Sequence, residues 1–113
     1  MSQQYIFVYM LCSSSRRALY TGVTNSAMIR TLQHQASDES TFAGLYKTHR
    51  LIYCERFLDV RDAIRREKRI KGWTRKKKND LVESLNPDWK DLRLEEGWGV
   101  AFIPLRSSQP TED

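Results

Sequence analysis

The apolar positions of this chain fall first into short unbroken runs and later into helical stripes, with polar punctuation between them. Tyr5 to Cys12 is almost continuously apolar and rich in aromatic and β-branched residues, the pattern of a buried strand. Ser13-Ser14-Ser15-Arg16-Arg17 is turn material, and Ala18 to Val23 returns as a second strand, so the two predict an antiparallel hairpin. Asn25 or Ser26 caps a first helix reaching about His34, with Met28, Ile29 and Leu32 toward the core. After a polar loop, Leu51 to Arg56 forms a third strand.

A second helix starts at Asp59, with Asp62 favourably placed in its first turn, and Gly72 ends it. Thr74 caps a third through Leu85, with Leu81, Val82 and Leu85 inward. Asn86-Pro87 opens a further short helix anchored by Trp89 and Leu92. Gly97 to Leu105 is an apolar strip able to dock in extended form, and Arg106 to Asp113 a polar tail. The order predicts an α+β fold, a small antiparallel-type sheet of about three strands with helices packed on it. Residues 1–93 form the domain, and 94–113 a C-terminal extension, partly extended or disordered.

On the second helix one residue breaks the pattern. Val60, Ala63, Ile64 and Ile70 form a stripe at −7, −4, −3 and +3 from Glu67, the only acid in the basic run from Ile64 to Lys78. A carboxylate on an apolar stripe needs a cation, a donor or a metal. With a net charge of +5 and a pI near 9.4, the chain suits a polyanionic partner such as nucleic acid. Arg66, Lys71, Arg75, Lys76, Lys77 and Lys78 are the candidate phosphate contacts. The same charges also fit an ordinary solvated helix face, with Asp62 paired to Arg66. Cys12 and Cys54 lie in strands without metal-type spacing and read as reduced core residues. The apolar start is too short to span a bilayer and lacks a basic leader, so a soluble cytoplasmic protein is expected.

Tyr9 and Tyr20 fall in the two hairpin strands, and Gly22 beside them leaves room for a ligand to approach the backbone. Strand tyrosines are commonly packing residues with a wet hydroxyl. Arg30 and His34, four apart, share a helix face distinct from the apolar one. Taken in order, Val8-Tyr9-Met10, Tyr20-Thr21-Gly22, Arg30, His34 and Glu67 within Arg66-Glu67-Lys68-Arg69-Ile70-Lys71-Gly72-Trp73 resemble the GIY-YIG nuclease domain. The likeness is to its small single-domain members akin to the N-terminal module of the repair endonuclease UvrC. It covers about Tyr5 to Leu92, with Val8 in place of the motif's first glycine.

The resemblance implies a metal-dependent endonuclease that hydrolyses phosphodiesters, DNA in preference to RNA, with a link to DNA repair. Glu67 would hold one divalent ion, Mg²⁺ or Mn²⁺. Arg30 would neutralise the phosphate, and Tyr9 would position or deprotonate the water with help from Tyr20 and His34. Tyr46 and Lys47 join Gly22 as expected nucleic-acid contacts, Lys47 because Leu45 stands where relatives often carry lysine. Targeting would fall to a protein partner. A nucleic-acid-binding module that keeps the fold but cuts little is the competing reading, and an interaction protein that docks through its apolar tail a third.

Overall fold

The structure, a computed structural model, describes residues 4–30 and 49–106. Three strands, β1 (Ile6–Ser13), β2 (Leu19–Asn25) and β3 (His49–Phe57), form an antiparallel sheet in the order β2-β1-β3. The central place of β1 explains its composition. With helices or loops on both faces, none of its side chains needs to meet water, and Phe7, Val8, Met10, Leu11 and Cys12 are fully buried. Each large side chain withdrawn in this way stabilises the fold by roughly 1.5–3 kcal/mol. The polar turn 13–18 closes the hairpin through Ser13, whose amide donates to the Ala18 carbonyl at 3.1 Å.

A helix, α1, opens at 26 directly after β2 and is described through 30. Asn25 caps it, its Oδ1 accepting the Met28 amide at 3.0 Å. Ile29 is buried, whereas Met28 is exposed, so the inward face is narrower than the expected Met28/Ile29 pair. Leu32 and the expected end at His34 lie outside the described residues. α2 (Val60–Lys71) begins at Asp59, whose side chain accepts from the Arg61 amide, and ends at Gly72 with ordinary right-handed geometry. α3 (Arg75–Leu85) begins at Thr74, which accepts from the Lys77 amide. Leu81 and Val82 pack inward, but Leu85 does not; it is exposed at the helix end.

The sheet separates two core layers. On one face Val8, Met10, Cys12 and Ile52 meet Ala63 and Ile70 of α2, Val82 of α3, and Trp89. On the other, Phe7, Leu11, Leu51 and Cys54 meet Ile29 of α1 together with Trp98 and Ile103. The stripe expected on α2 is rotated. Val60 and Ile64 are exposed, and Ala63, Arg66 and Ile70 are the buried residues. Arg66 can lie inward because a buried acid of β3 awaits it.

Asn86-Pro87 does not restart a helix. Asn86 is itself buried and closes a turn, its amide donating to the Ile52 carbonyl at 3.0 Å and the Lys90 carbonyl at 2.8 Å. These bonds use the side chain that a helix would leave in solvent. Trp89 is anchored as expected, with its indole N–H on Glu83 at 2.8 Å. Two 3-10 turns follow, Leu92–Leu94 and Val100–Phe102. Beyond them the chain docks on the outer edge of β3: the Arg56 amide donates to the Pro104 carbonyl and the Arg106 amide to the Arg56 carbonyl, both at 2.8 Å. These bonds occupy backbone groups that an edge strand otherwise exposes.

Cys12 and Cys54 face opposite layers, so no disulfide can join them. Burial pushes both thiols up, and Glu55 beside Cys54 adds to the effect there. Neither thiol is therefore expected to react with an aromatic disulfide reagent at pH 8 in the folded protein, and both should react in denaturant. Absorbance of the released thiolate measures this; rapid native labelling of either would contradict the burial.

Candidate active site

The hairpin register builds the site. Tyr9 stands opposite Gly22, and Leu11 opposite Tyr20. Tyr9 and Leu11 share a face, as do Tyr20 and Gly22, so both tyrosines emerge on one side of the sheet as diagonal neighbours. The Tyr9 ring crosses onto β2 and lies over Gly22. A Cβ added at Gly22 would stand 2.6 Å from the Tyr9 hydroxyl oxygen and 2.7 Å from Cζ. The bare backbone at Gly22 thus accommodates Tyr9 itself, where ligand approach was expected.

Tyr20 is 45% exposed, and its ring meets His49 at the start of β3 edge-on, centroids 5.3 Å apart. α1 packs against this same face through Ile29, and the next residue, Arg30, is exposed. Tyr9, Tyr20, Gly22 and the helix bearing Arg30 are therefore brought together by the fold.

Glu67 is on α2, which packs on the other layer against β1 and β2. Its side chain is 17% exposed and pairs with Lys71, Nζ to Oε2 3.0 Å, one helical turn on. The expected position between apolar neighbours holds for Ala63 and Ile70. Lys71, expected on a phosphate surface, is engaged by Glu67. Among the described residues no group of three His, Cys, Asp or Glu side chains is placed to hold a metal ion. His34, Tyr46 and Lys47 lie outside the described residues.

The basic residues divide. Arg66, expected to contact nucleic acid, is buried and pairs with Glu55 of β3, Nε to Oε1 2.7 Å, so it is withdrawn from the surface. Asp62 pairs with Arg65 at 3.1 Å and not with Arg66. Arg75 donates to the Arg17 carbonyl at 3.0 Å and to Asn79 at 2.9 Å. Lys76 pairs with Asp80 at 3.0 Å, and the Lys77 ammonium lies 4.3 Å above the Trp73 ring. Lys78, half-buried on the first turn of α3, donates its backbone amide to Thr74.

Sequence reasoning missed Glu55. It is fully buried, bonded by the Tyr53 hydroxyl and Arg66, with Arg106 Nε 3.5 Å from Oε2. Burial, then the Glu55 carboxylate, pushes the Tyr53 phenol far up, so this hydroxyl stays a donor. The signals were an acid within the apolar run Leu51 to Phe57 and an arginine spaced +3 and −4 from Ala63 and Ile70.

The family model of the GIY-YIG catalytic domain matches residues 5–80, spanning the hairpin, β3, α2 and the first half of α3. The chain belongs to the GIY-YIG family. It is 31% identical to a UPF0213 protein of Bacillus pumilus over 81 residues, covering 72% of this chain and 81% of that protein. A UPF0213 protein of Natronomonas pharaonis is 34% identical over 76 residues, 67% of this chain and 88% of its own length. The solution NMR structure of a UPF0213 protein from Bacillus halodurans shares the fold, with a TM-score of 0.53 at 24% identity over 77% of this chain and 92% of that one. GIY-YIG membership places the chain in a nuclease superfamily whose members generally depend on metal. The names of these relatives state no activity or substrate. Among the described residues no helix is long and apolar enough to cross a membrane.

Proposed function

We propose that this GIY-YIG domain is a metal-dependent endonuclease that hydrolyses nucleic-acid phosphodiesters, with DNA as its substrate. The observation that supports this most is the Tyr9 hydroxyl held over Gly22, on the face that also carries Tyr20 and the helix of Arg30. A phenol fixed by packing is a better positioner of water than one free to rotate, because its orientation is set before substrate arrives. Arg30 is exposed and always charged, with a planar fork suited to two phosphate oxygens. Tyr20, equally accessible, serves as a second hydroxyl at the phosphate.

Glu67 is the residue that would hold the divalent ion; α2 carries it on the layer opposite the tyrosines, so an ion there would have to meet the phosphate around the β2 edge of the sheet. A single carboxylate fits Mg²⁺ or Mn²⁺, hard cations content with one or two protein oxygens, water and substrate phosphate. When bound, the ion supplies Lewis-acid stabilisation of the charged phosphate. Lys71 must release the carboxylate first, and its 55% exposure leaves it room to swing into solvent.

The Glu67–Lys71 pair also favours a second reading, a module that binds nucleic acid but cuts little, in which lysine fills the cation position for good. Incubating the purified chain with branched, flapped and plasmid DNA plus Mg²⁺ or Mn²⁺ separates the two. Cleavage should depend on metal and fall about 100-fold in Glu67→Gln and Arg30→Ala. DNA binding in Glu67→Gln should be retained. Binding without metal-dependent cleavage would sink the enzyme reading and establish the second.

A further inference from the structure

Three arginines distant in sequence converge where the β1–β2 turn meets the turn after α3. Arg50 donates to the Ser14 carbonyl at 3.0 Å and the Trp89 carbonyl at 3.2 Å. Arg75 donates to the carbonyls of Arg16 and Arg17. Arg16 reaches the Asp88 carbonyl at 3.4 Å, with its guanidinium 5.3 Å above the Trp89 ring. Arg16 and Trp89, at φ 62° and 56°, are also the two non-glycine residues with left-handed backbone among the described residues. Such strained positions persist where surrounding contacts enforce them, and they concentrate at functional sites.

Within the described residues no acid pairs with the charges of Arg16, Arg50 and Arg75. The nearby acids are otherwise engaged or exposed: Asp91 is held by Arg93 at 2.7 Å, Glu83 accepts the Trp89 indole, and Asp88 faces solvent. Burial raises the Cys12 thiol; Arg50, Arg16 and Arg75 all act against it and Asp91 more weakly with it, so the three arginines lie within electrostatic reach of one point. Carbonyl oxygens order a guanidinium without cancelling its charge. Five N–H donors each leave Arg16 and Arg50 with donors to spare.

The geometry assigns to Arg16, Arg50 and Arg75 an anion subsite that holds a backbone phosphate of the nucleic acid. It rests on the nucleic-acid reading above and adds where the strand runs. Tyr20 lies two residues beyond Ala18 at the end of the turn, and strand residues advance about 3.3 Å each, so a single bound strand can reach from the tyrosine face to the turn. The subsite anchors the strand through its backbone without reading bases.

The test uses anisotropy of a fluorescent DNA duplex with the full chain in chelator, so that cleavage plays no part. Arg16→Gln should weaken binding about five- to tenfold and make the slope of log K against log salt shallower by about one. Arg61→Gln, which removes equal charge from a surface pair with Asp59, should change neither. Arg16→Lys should recover part of the loss, and an unchanged melting curve excludes misfolding. A parallel titration with inorganic phosphate should shift the Nε–H NMR signals of all three arginines, and duplex should displace the phosphate.

Equal effects of Arg16→Gln and Arg61→Gln would overturn the subsite, as would an unchanged salt slope or wild-type protein that fails to bind. Phosphate binding that DNA does not displace would overturn its assignment to nucleic acid. Retained binding with a metal-dead wild type would instead defeat the enzyme reading and leave the subsite standing.

Discussion

Arg66→Ala should destabilise the fold by about 3–5 kcal/mol, because it strands the carboxylate of Glu55 inside the core. Glu55 is fully buried, and the Arg66 side chain is 6% exposed. Nε lies 2.7 Å from Oε1, and Nη2 3.4 Å from Oε2. The Tyr53 hydroxyl supplies a neutral donor only, and Arg106 stands farther away and nearer solvent. Removing the close cation leaves a desolvated charge whose cost the remaining donors cannot offset. The double variant Glu55→Leu/Arg66→Met removes both charges at similar volume and should lie much nearer wild type. Urea unfolding of the singles and the double closes the cycle. A loss below about 1 kcal/mol for Arg66→Ala would mean that Glu55 takes up a proton cheaply or reaches water, and that the pair does not organise α2.

This buried pair also marks where sequence pattern reached and where it stopped. The two-sided burial of β1 was legible because a strand covered on both faces leaves no polar alternation. The caps at Asn25, Asp59 and Thr74 were legible because each side chain serves the amides of its own first turn. Arg66 was not. An arginine counts as polar in any periodicity, so the apolar stripe reads through Val60 and Ile64; the partner of Arg66 is eleven residues back on another element. Leu85 and the Asn86-Pro87 turn failed for a related reason, since the tertiary hydrogen bonds of Asn86 to Ile52 and Lys90 outweigh local helix chemistry. At the site, residue types and order pointed to Tyr9 and Tyr20. The contact between Tyr9 and Gly22 depends on the hairpin register, and that register follows from the turn at 13–18, whose closure spacing alone does not reveal.

Gly22→Ala tests that contact, and with it the role given to Tyr9. The new methyl would sit 2.6, 2.7 and 2.9 Å from Oη, Cζ and Cε1 of Tyr9, inside the distance any carbon tolerates. Gly22 is in regular strand with no left-handed backbone, so the effect is one of space and not of conformation. The ring must tilt away, at an expected cost of about 1–3 kcal/mol. Its hydroxyl then moves by an ångström or more, a displacement that lowers cleavage by roughly 100-fold when the group positions the attacking water. DNA affinity should hold, since the basic surface is untouched. Tyr9→Phe should match the loss in rate with little loss in stability. In Gly22→Ala/Tyr9→Ala the clash is gone, so the glycine substitution should add little destabilisation to Tyr9→Ala, while activity stays low. That split between restored packing and unrestored chemistry separates a working phenol from a packing residue. If Gly22→Ala is destabilised yet cuts at the wild-type rate, Tyr9 packs the hairpin and another group must position the water.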